Sequence, residues 1–202
     1  MPRPTRRGAL EPRKYPAQPR SADTVATILE AAARILERHG FAGYNTNAVA
    51  GLAGVSIGSL YQYFPNKDAL VAALVARETA LLLEELSVAT SEASFLAGRK
   101  RMIQAAIAHQ MRRPALARLL DFEEQRLPLG PRNERAGQMV ADIAISVLGK
   151  PGAPRTANRT VAALDLLAIV KGMVDAAGHR GETDSIALQR RVERAVDGYL
   201  GT

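Results

Sequence analysis

Four residues that commonly begin or end helices lie between positions 45 and 66, so only very short elements fit there. Asn45 can cap a helix that Gly54 then ends. Ser56 can cap a second helix, and Pro65 ends it because the residue before a proline disfavours the helical conformation. Two short helices joined by a turn of three or four residues with a glycine form the helix-turn-helix layout. The pattern therefore predicts this motif between Asn45 and Pro65.

Longer helices are predicted on both sides of the motif. Apolar residues recur at three- and four-residue steps from about residue 21 to His39, and Gly40 stops the pattern. Asn66 can cap a long helix that runs to roughly residue 86. Strand signals are absent, and further helices are predicted near residues 95–112, 115–126, 132–148, 156–178 and 184–200. The sequence thus predicts an all-α fold.

Several classes of function are excluded by residues and motifs that the chain lacks. It has no cysteine, which excludes disulfides, thiolate metal sites and a cysteine nucleophile. Its three histidines, His39, His109 and His179, fit no ligand spacing, so we expect no metal site. No glycine-rich phosphate loop or nucleophile elbow is present. We therefore expect a protein without a cofactor.

The apolar segments are short. The longest runs fall far below the ~20 residues that a membrane-spanning helix needs. The basic N-terminus is not followed by the apolar segment of a secretory signal. We therefore expect a cytoplasmic protein with no membrane partner.

The first 20 residues differ in charge from the rest of the chain. Residues 1–20 hold six basic residues and one acidic residue, a net charge of +5, and five of the eleven prolines. Such a segment is predicted to be a disordered or extended arm. A positive arm favours a polyanionic partner such as nucleic acid. The other interpretation is a solvated tail without a partner.

The second short helix has two different faces when it is projected at 100° per residue. Leu60 and Phe64 lie one above the other and are predicted to be buried. The opposite face is small, polar or aromatic and has no charge; it carries Gly58, Ser59, Gln62 and Tyr63. Such a face suits insertion into the major groove of DNA, with the helix N-terminus favouring a phosphate. The other interpretation is that Gly58 is only a weak helix position and that the tyrosines are half-buried packing residues.

The run AGVSIGSLYQYFPNK, residues 53–67, closely resembles the DNA-binding domain of TetR-type transcriptional regulators, and the resemblance covers residues 21 to about 75. It implies that the second short helix is the recognition helix. It also implies that Asn45 and Lys67 contact phosphates. The predicted DNA-contacting residues are Asn45, Thr46, Ser56, Ile57, Gly58, Ser59, Tyr61, Gln62, Tyr63 and Lys67.

The chain departs from the family pattern on the first short helix. Ala48, Gly51 and Leu52 stand where many relatives have Arg, Glu and Arg. Some electrostatic contact with DNA is therefore missing from this helix, and the basic arm is a candidate to compensate for it.

The remaining residues, 76–202, carry no motif of their own, and the resemblance implies a helical ligand-binding and dimerisation domain. A helix-turn-helix dimer would read a palindromic operator. The predicted ligand-binding residues are Phe95, Met102, His109, Met111, Phe122 and Met139. Candidates for a homodimer interface, each equally able to be core, are Val161, Leu164, Leu167, Ala168, Val174, Ile186, Leu188, Val192, Val196 and Leu200.

Three functions compete at this point. The first is a repressor of transcription that binds a double-stranded DNA operator and releases it when a small molecule binds. The second is an enzyme with an accessory helix-turn-helix; Glu123, Glu124 and His109 are its only candidate residues, and they lack a nucleophile or a metal set. The third is a basic helical module that binds RNA or a protein. The complete motif and the uncharged recognition face favour the repressor.

Overall fold

The computed structural model describes residue 10, residues 19–127 and residues 131–201. Within these ranges the chain forms nine α-helices and one 3₁₀ turn, with no strand, which confirms the all-α fold. The helices are α1 (Pro19–Gly43), α2 (Thr46–Ala53), α3 (Ile57–Tyr63), α4 (Lys67–Ser87), α5 (Phe95–Arg112), α6 (Pro114–Arg126), α7 (Pro131–Val147), α8 (Arg159–His179) and α9 (Ser185–Leu200). The 3₁₀ turn, Val88–Ser91, joins α4 to α5.

The predicted arm of residues 1–20 lies almost wholly outside the described residues. The structure describes Leu10 and begins α1 at Pro19, two residues before the predicted start. At the other end, Gly40 has a φ of 57° and interrupts the helical geometry of α1. The predicted stop at Gly40 is therefore confirmed as a kink, after which one further turn is helical.

Contacts divide the chain into two compact units, Met1–Glu78 with Leu119–Arg132, and Thr79–Arg118 with Asn133–Thr202. The predicted boundary between residues 75 and 76 lies close to the end of the first segment. No pattern in the sequence indicates that residues 119–132 join the first unit. The predicted limits of the functional domains stay predictions.

In the first unit α1 packs on α2, and α2 packs on α3. Leu60 and Phe64 are fully buried, as the projection of α3 predicts, and Ile28, Leu36 and Leu70 are fully buried in the same unit. These apolar contacts fix α3 from one side only. Its other side is left at the surface.

In the second unit α5 packs against α8 and α9. A glycine permits close packing here, because a Cβ on Gly98 would lie 3.1 Å from Val147 Cγ1 and 3.2 Å from the Ala89 carbonyl oxygen. The core of this unit includes Ile103, Leu166 and other buried apolar residues of α5, α8 and α9.

The predicted interface residues of α8 and α9 separate into two groups. Val174, Leu188, Val192 and Val196 are buried in the core of the second unit. Val161, Leu164, Ala168 and Ile186 are exposed, while Leu167 and Leu200 are partly buried. The buried group cannot meet a second subunit without repacking of the core, whereas the exposed and partly buried residues can.

Candidate nucleic-acid interface

Local capping sets the two short helices. The Asn45 side-chain oxygen accepts a hydrogen bond from the Ala48 amide at 2.8 Å, and Gly54 ends α2 in the left-handed conformation with a φ of 67°. The Ser56 hydroxyl accepts from the Ser59 amide at 3.0 Å and caps α3. These caps confirm the predicted bounds of α2 and α3, and they hold the two helices across a turn of three residues, as the helix-turn-helix layout requires.

The exposed face of α3 carries several of the predicted DNA-contacting residues. Ile57 is 38% exposed and Tyr61 is 40% exposed, and Gly58 and Gln62 are exposed as well. Ser59 and Tyr63 are half-buried, and the hydroxyls of Ser56 and Ser59 lie 2.8 Å apart. The face thus combines a hydrophobic side chain, an aromatic hydroxyl, an amide and a bare stretch of backbone.

Gly58 provides that bare stretch, and packing within the chain does not require a glycine there. A Cβ at this position would meet only the Ser56 hydroxyl oxygen, at 3.7 Å, which is an ordinary contact. Packing within the chain would therefore tolerate at least an alanine there. The absence of a side chain therefore leaves open the surface where a binding partner would approach.

Two of the predicted DNA-contacting residues meet across the turn between α2 and α3. The hydroxyl oxygens of Thr46 and Tyr61 lie 3.1 Å apart, which joins the start of α2 to α3. Lys67 is exposed at the first position of α4. Hydroxyl and ammonium groups are of the kind that binds DNA phosphates, and the contact of these residues with DNA stays a prediction.

The first turn of α4 is fixed by three side chains. The Asn66 side-chain oxygen accepts from the Ala69 amide at 2.8 Å. The Tyr44 hydroxyl donates to the Lys67 carbonyl oxygen at 3.2 Å. Arg126, from the end of α6, donates through Nη2 to Asp68 Oδ1 at 3.1 Å.

The same arginine binds a second carboxylate. Glu123, whose side chain is 4% exposed, accepts from Arg126 Nε at 2.8 Å and from Nη2 at 2.5 Å. The hydrogen bond to Glu123 raises the pKa of Arg126, which therefore stays charged. Burial, with Asp68 and Glu123 nearby, raises the pKa of the Tyr44 hydroxyl, which therefore stays a donor. Glu123, one of the residues considered for catalysis, is thus committed to an ion pair.

Sequence reasoning missed Tyr44 and Arg126, and it considered Glu123 for catalysis and not for an ion pair. Tyr44 directly precedes the helix cap Asn45, a position that often carries an apolar residue, so its burial was predictable although its bond to Lys67 was not. The spacing of Glu123 and Arg126 indicates a local ion pair on a helix. No local signal could have linked Arg126 to Asp68.

The surface of α2 lacks charge, as the departures from the family pattern predict. No charged side chain occurs between Gly40 and Asn66. Leu52 is 50% exposed, Gly51 is exposed with open space around it, and Ala48 is half-buried. Within residues 40–67, Lys67 alone carries a formal charge.

The six predicted ligand-binding residues differ in their surroundings. Phe95 and Met102 are buried in the core of the second unit. Met139 is 54% exposed on α7, and Phe122, in the first unit, is 64% exposed. His109 is half-buried on α5.

Met111 lines a groove of about 540 Å³ in the second unit. Its lining residues are Gln104, Ile107, Ala108, Met111, Arg112, Thr183, Ser185 and Gln189. Among the residues that the structure describes, no helix is long and apolar enough to cross a membrane.

Comparison with known proteins identifies both parts of the chain. Residues 28–74 match the model for bacterial regulatory proteins of the tetR family, and residues 97–200 match a tetracyclin repressor-like C-terminal domain. An uncharacterized HTH-type transcriptional regulator of Mycobacterium tuberculosis is 32% identical over 135 residues, which span 65% of this chain and 66% of that relative.

Solved structures share the fold. A TetR transcription regulator from Haloarcula marismortui gives a TM-score of 0.75 at 18% identity, covering 89% of this chain and 97% of that one. The transcriptional regulator FadR from Bacillus subtilis, in complex with stearoyl-CoA, gives 0.72 at 17% identity, covering 85% and 96%. With the helix-turn-helix geometry and the two domain matches, the chain belongs to the tetR family of bacterial transcriptional regulators.

Proposed function

We propose that this protein is a non-enzymatic repressor that binds a palindromic DNA operator as a homodimer and releases it when a small molecule binds. The observation that carries the proposal is the exposed, uncharged face of α3, open at Gly58 and flanked by Lys67. Such a face can approach base edges closely, while the groups beside it bind phosphates.

The exposed side chains divide between reading bases and binding the backbone. Ile57 can offer only an apolar contact, which suits a thymine methyl group. The amide of Gln62 can pair with a base edge in the major groove. The hydroxyls of Thr46 and Tyr61, at 3.1 Å from each other, and the ammonium of Lys67 suit phosphates. The basic residues of the arm would add contacts along the backbone.

A homodimer is supported by apolar side chains at the surface of α8 and α9. Val161 is 49% exposed, Leu164 is 51% exposed and Ile186 is 64% exposed. Val161 and Leu164 lie three positions apart on α8 and so share a face, and a contiguous exposed apolar patch commonly marks a protein interface. Two copies joined there would present two recognition helices to a palindrome.

The groove lined by Met111 supports a small-molecule site. Ile107 and Met111 give it an apolar floor, and Gln104, Gln189 and Arg112 give it polar groups, which suits a molecule with an apolar body and a polar end. FadR of Bacillus subtilis, a distant structural relative, was solved with stearoyl-CoA. A ligand of amphipathic character is therefore the class to test first. A repressor of this kind would act in the cytoplasm.

The proposal is tested by fluorescence anisotropy with labelled duplex DNA from upstream of the protein's own gene. We expect binding at least tenfold tighter than to a random duplex of the same length and composition. Acyl-CoA molecules of graded chain length would then be added to the preformed complex, with free CoA as the control. Equal affinity for both duplexes would contradict sequence-specific binding, and tighter binding to RNA would favour the third function considered above.

A further inference from the structure

We propose that Arg126 is a positioning residue for DNA binding, which neutralises Asp68 and so lets the first turn of α4 receive a phosphate at Lys67. The inference rests on the proposed function in one respect, namely that Lys67 contacts the DNA backbone. It assigns a role in that contact to a residue of α6, far from α3 in sequence.

The need for neutralisation follows from the order of two residues. Asp68 directly follows Lys67, and its side chain is 39% exposed. A carboxylate beside a phosphate-binding ammonium repels the same phosphate that the ammonium attracts. Without a partner, Asp68 would cancel much of the attraction that Lys67 provides. Arg126 Nη2, at 3.1 Å from Asp68 Oδ1, supplies the opposite charge.

Arg126 is held in place for this contact from its other side. Its Nε and Nη2 bind Glu123 at 2.8 and 2.5 Å, and the buried Glu123 cannot be satisfied by water. The planar guanidinium reaches both carboxylates at once, which the single ammonium of a lysine cannot do in the same geometry. Removing Arg126 would therefore leave Asp68 uncompensated next to Lys67 in the sequence, and Glu123 uncompensated in the interior of the unit.

The backbone of the same turn is fixed independently. The Tyr44 hydroxyl donates to the Lys67 carbonyl oxygen at 3.2 Å, and Asn66 caps the helix. Because these bonds do not involve Arg126, its loss should change the charge of the turn more than its geometry. That separation makes the charge effect measurable.

The test compares wild type with Arg126→Gln, Asp68→Asn and the double variant R126Q/D68N. The matched control is Arg77→Gln, since Arg77 also bridges two carboxylates of the first unit, Glu30 and Glu78, but lies almost three turns further along α4. Affinity for a random duplex and for the upstream duplex is measured by anisotropy at several salt concentrations, with thermal unfolding measured in parallel.

We expect Arg126→Gln to lower the affinity for both duplexes by the same factor, roughly fivefold per subunit. One uncompensated charge at a partly exposed site would have an effect of this size. Asp68→Asn in the same chain should restore the affinity to within about threefold of wild type, because the repulsive carboxylate is gone. Arg77→Gln should lower the melting temperature without a comparable loss of affinity.

If Arg126→Gln unfolds because Glu123 is left buried and charged, Glu123→Gln is added to both Arg126 variants. In these proteins we then expect the same loss of DNA affinity from Arg126→Gln and the same recovery of affinity from Asp68→Asn. The inference is overturned if Asp68→Asn does not restore the DNA affinity that Arg126→Gln loses. It is also overturned if Arg126→Gln and Arg77→Gln bind DNA with equal affinity. Neither result would contradict the proposed function. Folded wild-type protein that binds neither duplex overturns the proposed function instead.

Discussion

Replacing Gly58 separates the requirements of folding from the requirements of DNA binding. A Cβ at this position meets only the Ser56 hydroxyl oxygen at 3.7 Å, so Gly58→Ala introduces no clash within the chain. Alanine favours a helix over glycine by up to about 1 kcal/mol. Gly58→Ala should therefore leave the fold as stable as wild type or more stable by about 0.5–1 kcal/mol.

Operator binding should change in the opposite direction. Extra atoms in a closely packed contact cost about 1–3 kcal/mol. Two recognition helices in a dimer double this to about 2–6 kcal/mol, a loss of roughly 30-fold to 10⁴-fold in affinity. Gly58→Ala should lie at the lower end, and Gly58→Leu should abolish specific binding while the protein stays helical and dimeric.

The control is Gly137→Ala on α7, an exposed helical glycine with nothing within 4 Å of an added Cβ. It should gain similar stability and keep wild-type operator affinity. Circular dichroism would report folding, and anisotropy would report affinity for the upstream and random duplexes. If Gly58→Leu bound the upstream duplex as tightly as Gly137→Ala does, the placement of α3 in the major groove would be refuted.

Four further changes test other parts of the reasoning. Tyr61→Phe removes a hydroxyl but keeps the ring, so it should lower the affinity for specific and random DNA equally, with little loss of folding stability. Unequal losses of affinity would assign Tyr61 to base reading. Deleting residues 1–18 should reduce the slope of log affinity against log salt by roughly 4 to 5 units in a dimer if two or three arm charges per subunit engage; superimposable slopes would make the arm a solvated tail. Burial raises the pKa of Tyr44 above its ordinary value of 10.0, so its stabilisation is complete below about pH 10 and falls above it by about 1.4 kcal/mol per pH unit. Urea unfolding of Tyr44→Phe should lack that part of the slope, and parallel profiles for the two proteins would contradict the assignment. Leu164→Glu on α8 should yield a monomer by light scattering and weaken operator binding, whereas a persistent dimer would move the interface elsewhere.

The parts of the fold that the sequence predicts are those set by neighbouring residues. Asn45, Gly54 and Ser56 act on amides and carbonyls a few positions away, so their positions alone locate α2 and α3. The face of α3 follows from helix periodicity for the same reason, and Leu60 and Phe64 are buried as that periodicity predicts.

The parts that escape prediction depend on residues distant in sequence. The hydroxyl of Tyr44 reaches Lys67 across 23 positions, and Arg126 reaches Asp68 across 58. Apolar residues on an amphipathic helix also look alike whether they face a core or a ligand. Met102 is buried in the core while Met111 lines a groove, and nothing in their local sequence distinguishes the two.

The chargeless stretch from Gly40 to Asn66 affects the competition between one operator and the rest of a chromosome. Affinity for random DNA comes mainly from neutralised phosphates, to which α2 and α3 add hydrogen bonds such as that of Tyr61 but no charge. Contacts from Ile57 or Gln62 form only on matching bases and so strengthen the operator complex alone. A genome offers about 10⁶–10⁹ competing sites. Because α2 and α3 hold those sites weakly, fewer copies of the protein per cell suffice to keep its operator occupied.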